Sequence, residues 1–316
     1  MEKMKHIIES LPNETGWSLY QPYCLYQGFW CFPDFLEGIM LAQECFKPEP
    51  GDIFICSHPK SGTTWLKALT FAIINRHRYH FDDSSNPLLS KGPHDCVFFL
   101  EQRKFIGKFR QPGVPLIATH TPYSSLPKSV LDSDDCKIVY ICRDPKDTFV
   151  SLFHFIDKRR PKHIEPVSIE QGFELFCEGK SIFGPIWDHI LGYWKASLER
   201  PNKVMFLKYE DMRKDSALYV KKLGEFMGYS FSAEEQHNVT LQKIVELCSF
   251  ENLRGLEVNK TGVQVNRIVP HPVANQDYFR KGKVGDWSNY LTPEMAQRLD
   301  KIMERKFYGS GLTFKN

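Results

Sequence analysis

Short apolar runs and longer amphipathic stretches alternate along the chain. Four runs of strand length are rich in β-branched or aromatic residues and almost continuously apolar: Asp52–Ser57, Pro115–Thr119, Cys136–Cys142 and Val204–Lys208. Such continuous apolarity is typical of strands that are buried on both faces of a parallel sheet, whereas a half-exposed strand alternates between apolar and polar residues. The pattern therefore predicts a parallel sheet whose strands are joined by helices.

Three of the amphipathic stretches begin with a recognisable capping signal. Ser168 is followed three residues later by Gln171, and Ser232 by Glu235, as in a capping box, and residues 292–294 (Thr-Pro-Glu) open a third helix. Strands that alternate with helices predict βαβ units with right-handed crossovers, and so an α/β three-layer sandwich with a central parallel sheet. Because ligands of such sheets bind beyond the carboxyl ends of the strands, we look for a site there.

Composition and charge narrow the class of protein. Of 316 residues, 42% are hydrophobic and 25% are charged, which is ordinary for a globular protein and excludes disorder, collagen and coiled coil. The 41 basic and 38 acidic residues give a net charge of +3, too low for a dedicated nucleic-acid binder. No Pro/Ser-rich linker divides the sequence, so we expect a single domain over residues 1–316.

The sequence also carries expectations about location. No apolar run approaches the roughly 18–20 residues of a membrane span, and residues 1–17 lack the apolar core of a secretory signal. The nine cysteines include no CxxC pair and no metal-like spacing. They indicate reduced thiols, and hence a cytoplasmic protein that has no membrane partner.

The first predicted strand runs into a short loop that is suited to an anion. Residues 57–65 (SHPKSGTTW) stand directly before a helical run. The unsatisfied N–H groups and the dipole at a helix start attract negative charge. Gly62 allows a close approach of the backbone and Lys60 adds a full positive charge, while the hydroxyl donors are Ser61, Thr63 and Thr64.

The spacing of this loop differs from that of the Walker A motif. Lys60 stands before the glycine, and no glycine occurs four residues further back. This argues against a Mg-dependent nucleoside triphosphatase. Two alternatives stay open at this point: a P-loop kinase of a small metabolite, and a nucleotide-binding module without catalysis.

The run PKSGTTW at residues 59–65 resembles the 5′-phosphosulfate loop of the cytosolic sulfotransferases, which use 3′-phosphoadenosine 5′-phosphosulfate (PAPS). The resemblance covers the chain from about Phe35 to Phe314, and its N-terminal and middle segments are similar to those of plant members. It implies transfer of a sulfuryl group from PAPS to a hydroxyl of a small apolar acceptor, with no metal. The donor-binding residues that it implies in this loop are Lys60, Ser61, Gly62, Thr63, Thr64 and Trp65.

A second signature follows the third predicted strand. Residues 143–152 (RDPKDTFVSL) resemble the 3′-phosphate motif of the family, in which Arg143 and Ser151 take the places of the phosphate ligands. An arginine fork and a hydroxyl on the same side suit phosphate oxygens. The alternative for Arg143 is an ordinary ion pair with Asp144 or Asp147.

A third signature lies near the C-terminus. Residues 279–287 (FRKGKVGDW) resemble the RKGxxGDW segment of the family. Basic residues among flexible ones form a local anion site, although such a loop is usually a solvated surface. The match implies that Trp287 anchors the segment and that the 3′-phosphate donors are Arg280, Lys281 and Gly282.

The resemblance also implies a site for the adenine. Tyr209 begins a YEDM turn after the fourth strand, and by the match it lies near the base, with Trp65 on the other side of the base. Ser249 and Phe250 stand where many relatives have residues next to the adenine. Cys248 replaces the threonine of those relatives and so lacks its strong hydroxyl donor.

The second predicted strand ends at His120, on the same sheet edge as Lys60 and Arg143. A single histidine after a strand is more often an ordinary loop residue. This one matches the single catalytic histidine of the family, which implies that it takes the proton of the acceptor hydroxyl. By the same resemblance, Lys60 stabilises the departing nucleotide, and Ser151 restrains Lys60 until the acceptor is bound.

Two departures from the family pattern stand out. Many animal members have a lysine two residues before the catalytic histidine, where this chain has Ala118. The dimer motif KxxxTVxxxE is also not matched, because Ser288 and residues 292–293 (Thr-Pro) stand in its place. The usual dimer is therefore not predicted, and a monomer is left open.

The acceptor pocket is expected to be apolar, with residues 1–50 contributing to it and Ser90–Gln111 forming a lid. The pocket favours a flat phenolic or steroidal acceptor, such as a flavonoid, a sterol or brassinosteroid, or a hydroxylated hormone. Each candidate aromatic residue could instead belong to the core; the candidates are Tyr26, Phe29, Trp30, Phe98, Phe99, Phe153 and Phe155.

Overall fold

In the computed structural model, which describes residues 2–17, 22–101, 113–237, 239–264 and 272–314, a parallel sheet lies between two layers of helices. The described strands are β1 Asn13–Glu14, β2 Tyr23–Tyr26, β3 Phe29–Cys31, β4 Ile53–Ser57, β5 Leu116–Thr119, β6 Lys137–Cys142, β7 Val204–Lys208, β8 Val263–Gln264 and β9 Val273–Ala274.

The described helices complete the element order. They are α1 Glu2–Ser10, α2 Pro33–Cys45, α3 Thr63–Asn75, α4 Pro87–Ser90, α5 Pro93–Cys96, α6 Lys128–Asp132, α7 Pro145–Lys158, α8 Ile169–Cys177, α9 Ile186–Glu199, α10 Tyr209–Lys214, α11 Ser216–Met227, α12 Ala233–His237, α13 Thr240–Leu247, α14 Phe250–Gly255, α15 Glu257–Thr261 and α16 Pro293–Phe307. Short 3₁₀ turns lie at Tyr123–Ser125, Asn275–Tyr278 and Asp286–Asn289.

The central sheet contains the four strands that the apolar runs predict. It is all parallel, in the order β5-β4-β6-β7. Ile55 of β4 lies opposite Ala118 of β5 and Val139 of β6. Each strand begins no more than one residue after its predicted start. The predicted α/β fold class is confirmed.

Both faces of this sheet are buried, which explains why its strands are apolar throughout. Phe54 and Cys56 of β4 point into a core formed with α7, α8, α9 and α16. Ile53 and Ile55 point the other way, into a core formed with α3, α11 and α13. Successive side chains of a strand alternate between faces, so two helical layers and one sheet give the predicted sandwich.

The predicted helix starts are also confirmed. The Ser168 hydroxyl accepts a hydrogen bond from the N–H of Gln171, whose side chain accepts one from the N–H of Ser168. Ser232 and Glu235 form the same reciprocal pair, and Thr292 caps α16. Each cap satisfies N–H groups that would otherwise lack partners, which typically contributes about 1 kcal/mol.

The strand order creates a crevice at one edge of the sheet. The chain passes from β4 to β5 on one side and then crosses to β6 on the other side of β4. At such a switch point the loops after neighbouring strands separate, and ligands bind there. The antiparallel strands β1, β2 and β3 pack with α1 and α2 in a separate cluster that includes Phe183.

The structure also bears on the expected thiols and on the expected absence of a membrane span. The nine cysteines all lie in described parts of the chain and are free. Within those parts, every helix is too short or too polar to cross a lipid bilayer.

Candidate active site

One cavity at the carboxyl edge of the sheet collects the side chains that the sequence motifs single out. Lys60 follows β4, His120 follows β5 and Arg143 follows β6, and all three line this cavity. Ser151 of α7 and Arg280 of the C-terminal segment line it as well. Parallel strands therefore bring together groups from distant parts of the sequence.

The loop after β4 has the backbone of a tight anion-binding turn. Gly62 has a φ of 109°, and a Cβ atom there would lie 2.9 Å from the Tyr209 ring. Lys60 has a φ of 67°, a left-handed conformation that is uncommon for a lysine and is often found at functional sites. The other lining residues of the loop are Thr63, Thr64 and Trp65.

Ser61 departs from the expectation for this loop. Its side chain is buried and does not belong to the cavity lining, while its N–H donates to the carbonyl of His58. In a turn this tight, neighbouring side chains point in different directions. The Ser61 hydroxyl is therefore not placed as the anion donor that the sequence suggested.

The Lys60 ammonium lies inside the cavity against aromatic rings. Its Nζ is 4.0 Å from the ring centroid of Phe155 and 5.7 Å from that of Tyr278. Burial lowers the pKa of Lys60 to about 7, and the charges of Arg280 and Arg143 add to the effect. An anion in the cavity would favour the charged form and reverse this shift.

Arg143 makes the ion pair that was the alternative to phosphate binding, and it also faces the cavity. Its Nη2 is 3.2 Å from the Oδ2 of Asp147 and donates to the Lys283 carbonyl at 2.6 Å. Asp147 is fully buried and also accepts from the N–H groups of Gly285 and Trp287, at 2.8 and 3.0 Å. One carboxylate thus fixes both Arg143 and the C-terminal basic segment.

The C-terminal segment presents Arg280 in a similar way. Its Nη1 donates to the Oδ2 of Asp286 at 2.5 Å, and its Nε is buried without a partner among the described residues. Within the same parts of the chain, the Nε of Arg143 is buried without a partner too. Lys281 lines the cavity with a half-exposed side chain, 3.8 Å from Asp286. Two guanidinium N–H groups therefore remain for an anion to satisfy.

Gly282 closes the cavity at a point where no side chain fits. Its φ is 64°, and a Cβ atom would lie 2.4 Å from the Phe250 ring. Its carbonyl accepts from the Tyr209 hydroxyl at 3.0 Å. The Phe250 ring thus requires a glycine at this position.

The aromatic residues near Gly282 correct the expectation that the adenine lies between Trp65 and Tyr209. The rings of Trp65 and Tyr209 meet edge to face, with centroids 5.4 Å apart, so a purine has no room between them. Trp65, Cys248 and Phe250 line the cavity, whereas Ser249 does not; its hydroxyl caps α14. The idea that a base separates Trp65 from Tyr209 is wrong, because Tyr209 packs on the same turn that carries Trp65.

His120 is held in one orientation and one tautomer. Its Nδ1 lies 2.7 Å from the carbonyl oxygen of Ser57. A carbonyl can only accept, so Nδ1 carries the proton and Nε2 keeps a free lone pair. Burial lowers the pKa of His120 to about 3, so the ring is neutral at pH 7. The rings of Phe99 and Phe183 flank it, with centroids 4.8 and 5.5 Å away.

Comparison with known proteins identifies the family. A family model described as a sulfotransferase domain matches residues 50–311. The chain belongs to the sulfotransferase family. It is 51% identical to cytosolic sulfotransferase 17 of Arabidopsis thaliana, over 97% of this chain and 89% of that one. It is 48% identical to flavonol 3-sulfotransferase of Flaveria bidentis, over 99% of this chain and all of that one.

Solved sulfotransferase structures share the fold. A protein of Arabidopsis thaliana described as a putative steroid sulphotransferase superposes with a TM-score of 0.74 at 40% identity, over 98% of this chain and 94% of that one. The mouse sulfotransferase SULT7A1, complexed with PAP, gives a TM-score of 0.70 at 27% identity, over 92% and 96%. The suggested alternative of a small-metabolite kinase is therefore wrong.

In this sulfotransferase a buried carboxylate positions the histidine. The Oε1 of Glu101 accepts from the Thr119 hydroxyl and the His120 N–H, both at 2.5 Å, and from the Thr121 N–H at 3.1 Å. Glu101 thus clamps the backbone on both sides of the ring. No local pattern predicts this contact, because Glu101 stands 19 residues before His120.

A hydrogen-bonded chain supports the phosphate loop from behind. Thr64 Oγ1 is 3.0 Å from the Nε2 of His94, whose Nδ1 is 3.1 Å from the Nζ of Lys67. Lys67 is fully buried and lies 3.4 Å from the Phe99 centroid. Ala118, where the resemblance would have a lysine, is fully buried and its backbone pairs with Phe99. This side of the cavity thus has a lysine from another element and outside the lining, and burial lowers the pKa of Lys67 well below its usual value.

The acceptor side of the cavity only partly matches the expected residues. Phe99 and Phe155 line it, whereas Phe153 points away and packs against Trp17, since residues two apart on a helix face opposite sides. The other expected residues that lie outside the lining are Tyr26, Phe29, Trp30 and Phe98.

The N-terminal segment does contribute to the cavity, but through different residues. Phe32 and Phe35, at the start of α2, line it together with Phe183. Of the expected lid at residues 90–111, the structure describes the part up to Glu101, including α5; residues 102–111 lie outside the described residues.

Proposed function

We propose that this sulfotransferase transfers the sulfuryl group of PAPS to a hydroxyl of a small apolar acceptor. The observation that carries the proposal is that Lys60, His120, Arg143, Ser151 and Arg280 line one cavity. Its cationic part suits the nucleotide, and its aromatic part, which contains His120, suits the acceptor.

The residues at the cationic end fit the donor. The unpartnered Nε groups of Arg143 and Arg280 supply charge-assisted hydrogen bonds for a phosphate. We assign the 3′-phosphate to these arginines with Ser151, Lys281 and Gly282. We assign the 5′-phosphosulfate to Lys60 and the start of α3, and the adenine to Trp65 and Phe250. The mouse relative was solved with PAP.

In the reaction, His120 Nε2 takes the proton from the acceptor hydroxyl as its oxygen forms a bond to sulfur. The bond from sulfur to the bridging oxygen of the nucleotide breaks, and the Lys60 ammonium stabilises the negative charge that remains on that oxygen. The products are a sulfate ester and 3′-phosphoadenosine 5′-phosphate. Positioning and electrostatics supply most of the acceleration, as in phosphoryl transfer, and the proposal assigns no metal.

The acceptor is proposed to be a flat phenolic or steroidal molecule: a flavonoid, a sterol or brassinosteroid, or a hydroxylated hormone. Phe32, Phe35, Phe99 and Phe183 supply aromatic walls around His120. The names of the relatives support this range, since one is a flavonol sulfotransferase and another is described as a steroid sulphotransferase. We also propose a cytoplasmic location, following the name of the Arabidopsis relative.

The test uses purified protein, 35S-labelled PAPS and a panel of phenols and hydroxysteroids, in EDTA. We expect labelled ester from wild type, and a loss of at least 100-fold in His120→Ala with unchanged affinity for PAP. His77→Ala, which alters an exposed histidine, is the matched control. If His120→Ala were as active as wild type, the assigned base would be wrong; if no acceptor were labelled, the protein would be a passive binder.

A further inference from the structure

Helix α7 lies along one side of the cavity. Ser151, Phe155 and Arg159 follow at intervals of four residues, so they lie on one face of the helix, and all three line the cavity. At 1.5 Å per residue, Arg159 lies about 12 Å beyond Ser151 along the axis. Lys60 lies over Phe155, between the two. Arg159, the residue that directly follows the end of α7, therefore lies on the other side of Lys60 from Ser151 along the direction of the helix.

The charge of Arg159 is not neutralised by its neighbours in the chain. Lys158 pairs with Asp277 at 2.5 Å, and Arg160 pairs with Asp157 at 3.3 Å. Arg159 makes no ion pair within the residues that the structure describes, and its guanidinium carbon lies 5.0 Å from the Phe155 centroid. It is half-buried at an aromatic cavity. A positive charge in such a place is favoured when an anion joins it.

Arg159 lies apart from the arginines to which we assign the phosphate of the donor. These two arginines, Arg143 and Arg280, form ion pairs with Asp147 and Asp286. The face of α7 separates Arg159 from Ser151 by two helical turns. Its planar fork suits a carboxylate or a sulfate, which it can bind through two parallel hydrogen bonds.

We propose that Arg159 forms a subsite for an anionic group on the acceptor. The acceptor class is then a hydroxylated aromatic acid, whose hydroxyl reaches His120 while its carboxylate or sulfate reaches Arg159. This inference rests on the proposed function, because it assigns the apolar part of the cavity to the acceptor. The competing assignment, that Arg159 binds the nucleotide, is an outcome of the test below.

The experiment compares acceptors that differ in charge alone: 4-hydroxycinnamate and its methyl ester. Binding to PAP-saturated enzyme and steady-state kinetics with PAPS are measured for wild type, Arg159→Gln and Arg159→Lys. Arg160→Gln is the matched control, because Arg160 is already paired with Asp157. We expect wild type to bind the acid more tightly than the ester. Arg159→Gln should weaken binding of the acid and raise its KM by about 10- to 100-fold, the value of a charge-assisted hydrogen bond.

The remaining measurements distinguish an acceptor subsite at Arg159 from a role of Arg159 in binding the nucleotide. In Arg159→Gln, the affinity and the KM for the ester should stay within twofold of those of wild type. Arg159→Lys should keep part of the preference for the acid. The KM for PAPS should not change in either variant. The proposed subsite would be overturned if Arg159→Gln weakened binding of the acid and of the ester equally. It would also be overturned if Arg159→Gln raised the KM for PAPS with either acceptor. The proposal would likewise be overturned if wild type bound the acid no more tightly than the ester. An enzyme that binds the acid but transfers nothing to any acceptor would count against the proposed function instead.

Discussion

Lys60 should make binding of the donor nucleotide depend on pH just above neutrality. Burial, with Arg280 and Arg143 nearby, lowers the pKa of Lys60 to about 7 in the free protein. The charged fraction is then about one half at pH 7, one tenth at pH 8 and one hundredth at pH 9. Because the phosphates of PAP favour the ammonium, binding raises this pKa and takes up a proton. Affinity should therefore fall by up to tenfold for each pH unit above 7.

Isothermal titration of PAP into the protein between pH 6.5 and 9 measures this effect. Repeating the titration in two buffers with different enthalpies of ionisation counts the protons exchanged, and we expect uptake of nearly one proton at pH 8.5. Lys60→Arg is the matched variant, because its guanidinium stays charged over the whole range. It should bind PAP with no pH dependence between 7 and 9, and Lys60→Met should bind weakly at every pH.

Two results would refute the reasoning about Lys60. One is an affinity of wild type that stays constant from pH 7 to 9 without proton uptake. The other is an equal slope in Lys60→Arg, which would assign the titration to another group. Either result would mean that Lys60 does not change its charge when PAP binds.

Three further predictions follow from particular contacts. Since burial lowers the pKa of His120 to about 3, kcat/KM should not fall between pH 7 and 5; an acid limb near 6.5 would contradict this. Gly282→Ala should weaken PAP binding by at least about tenfold, because its Cβ would lie 2.4 Å from a ring, whereas Gly255→Ala, at the end of α14 with nothing within 4 Å of the new Cβ, should bind PAP as wild type does. Asp147→Asn should lower the free energy of unfolding in urea by about 3 kcal/mol, since it leaves buried Arg143 unpaired; no change would refute this role.

The sheet and the position of the site could be predicted because they depend on local patterns. A strand buried on both faces must be apolar throughout, so the four runs mark the four strands. Parallel strands end at one edge, so Lys60, His120 and Arg143 had to converge. The capping residues follow from the N–H groups that every helix start leaves unsatisfied.

Other parts of the site depend on contacts between distant segments and left no signal in the sequence. Glu101 reaches the backbone around His120 from a separate segment. Asp147 stands four residues after Arg143, which suggested an ion pair, but nothing local shows that it also binds the C-terminal segment. The contact of Trp65 with Tyr209 depends on how α3 and α10 pack.

These contacts divide the charged groups of the site into two kinds. Glu101, Asp147 and Asp286 are buried carboxylates that hold His120, Arg143 and Arg280 in place, the residues to which we assign the proton transfer and the phosphate. Preorganised groups of this kind need little rearrangement in the transition state. Lys60 and Arg159 make no ion pair among the described residues, so their charges can respond to what enters the cavity. Groups that are fixed before a ligand binds and groups whose charge can respond to a ligand thus line the same cavity.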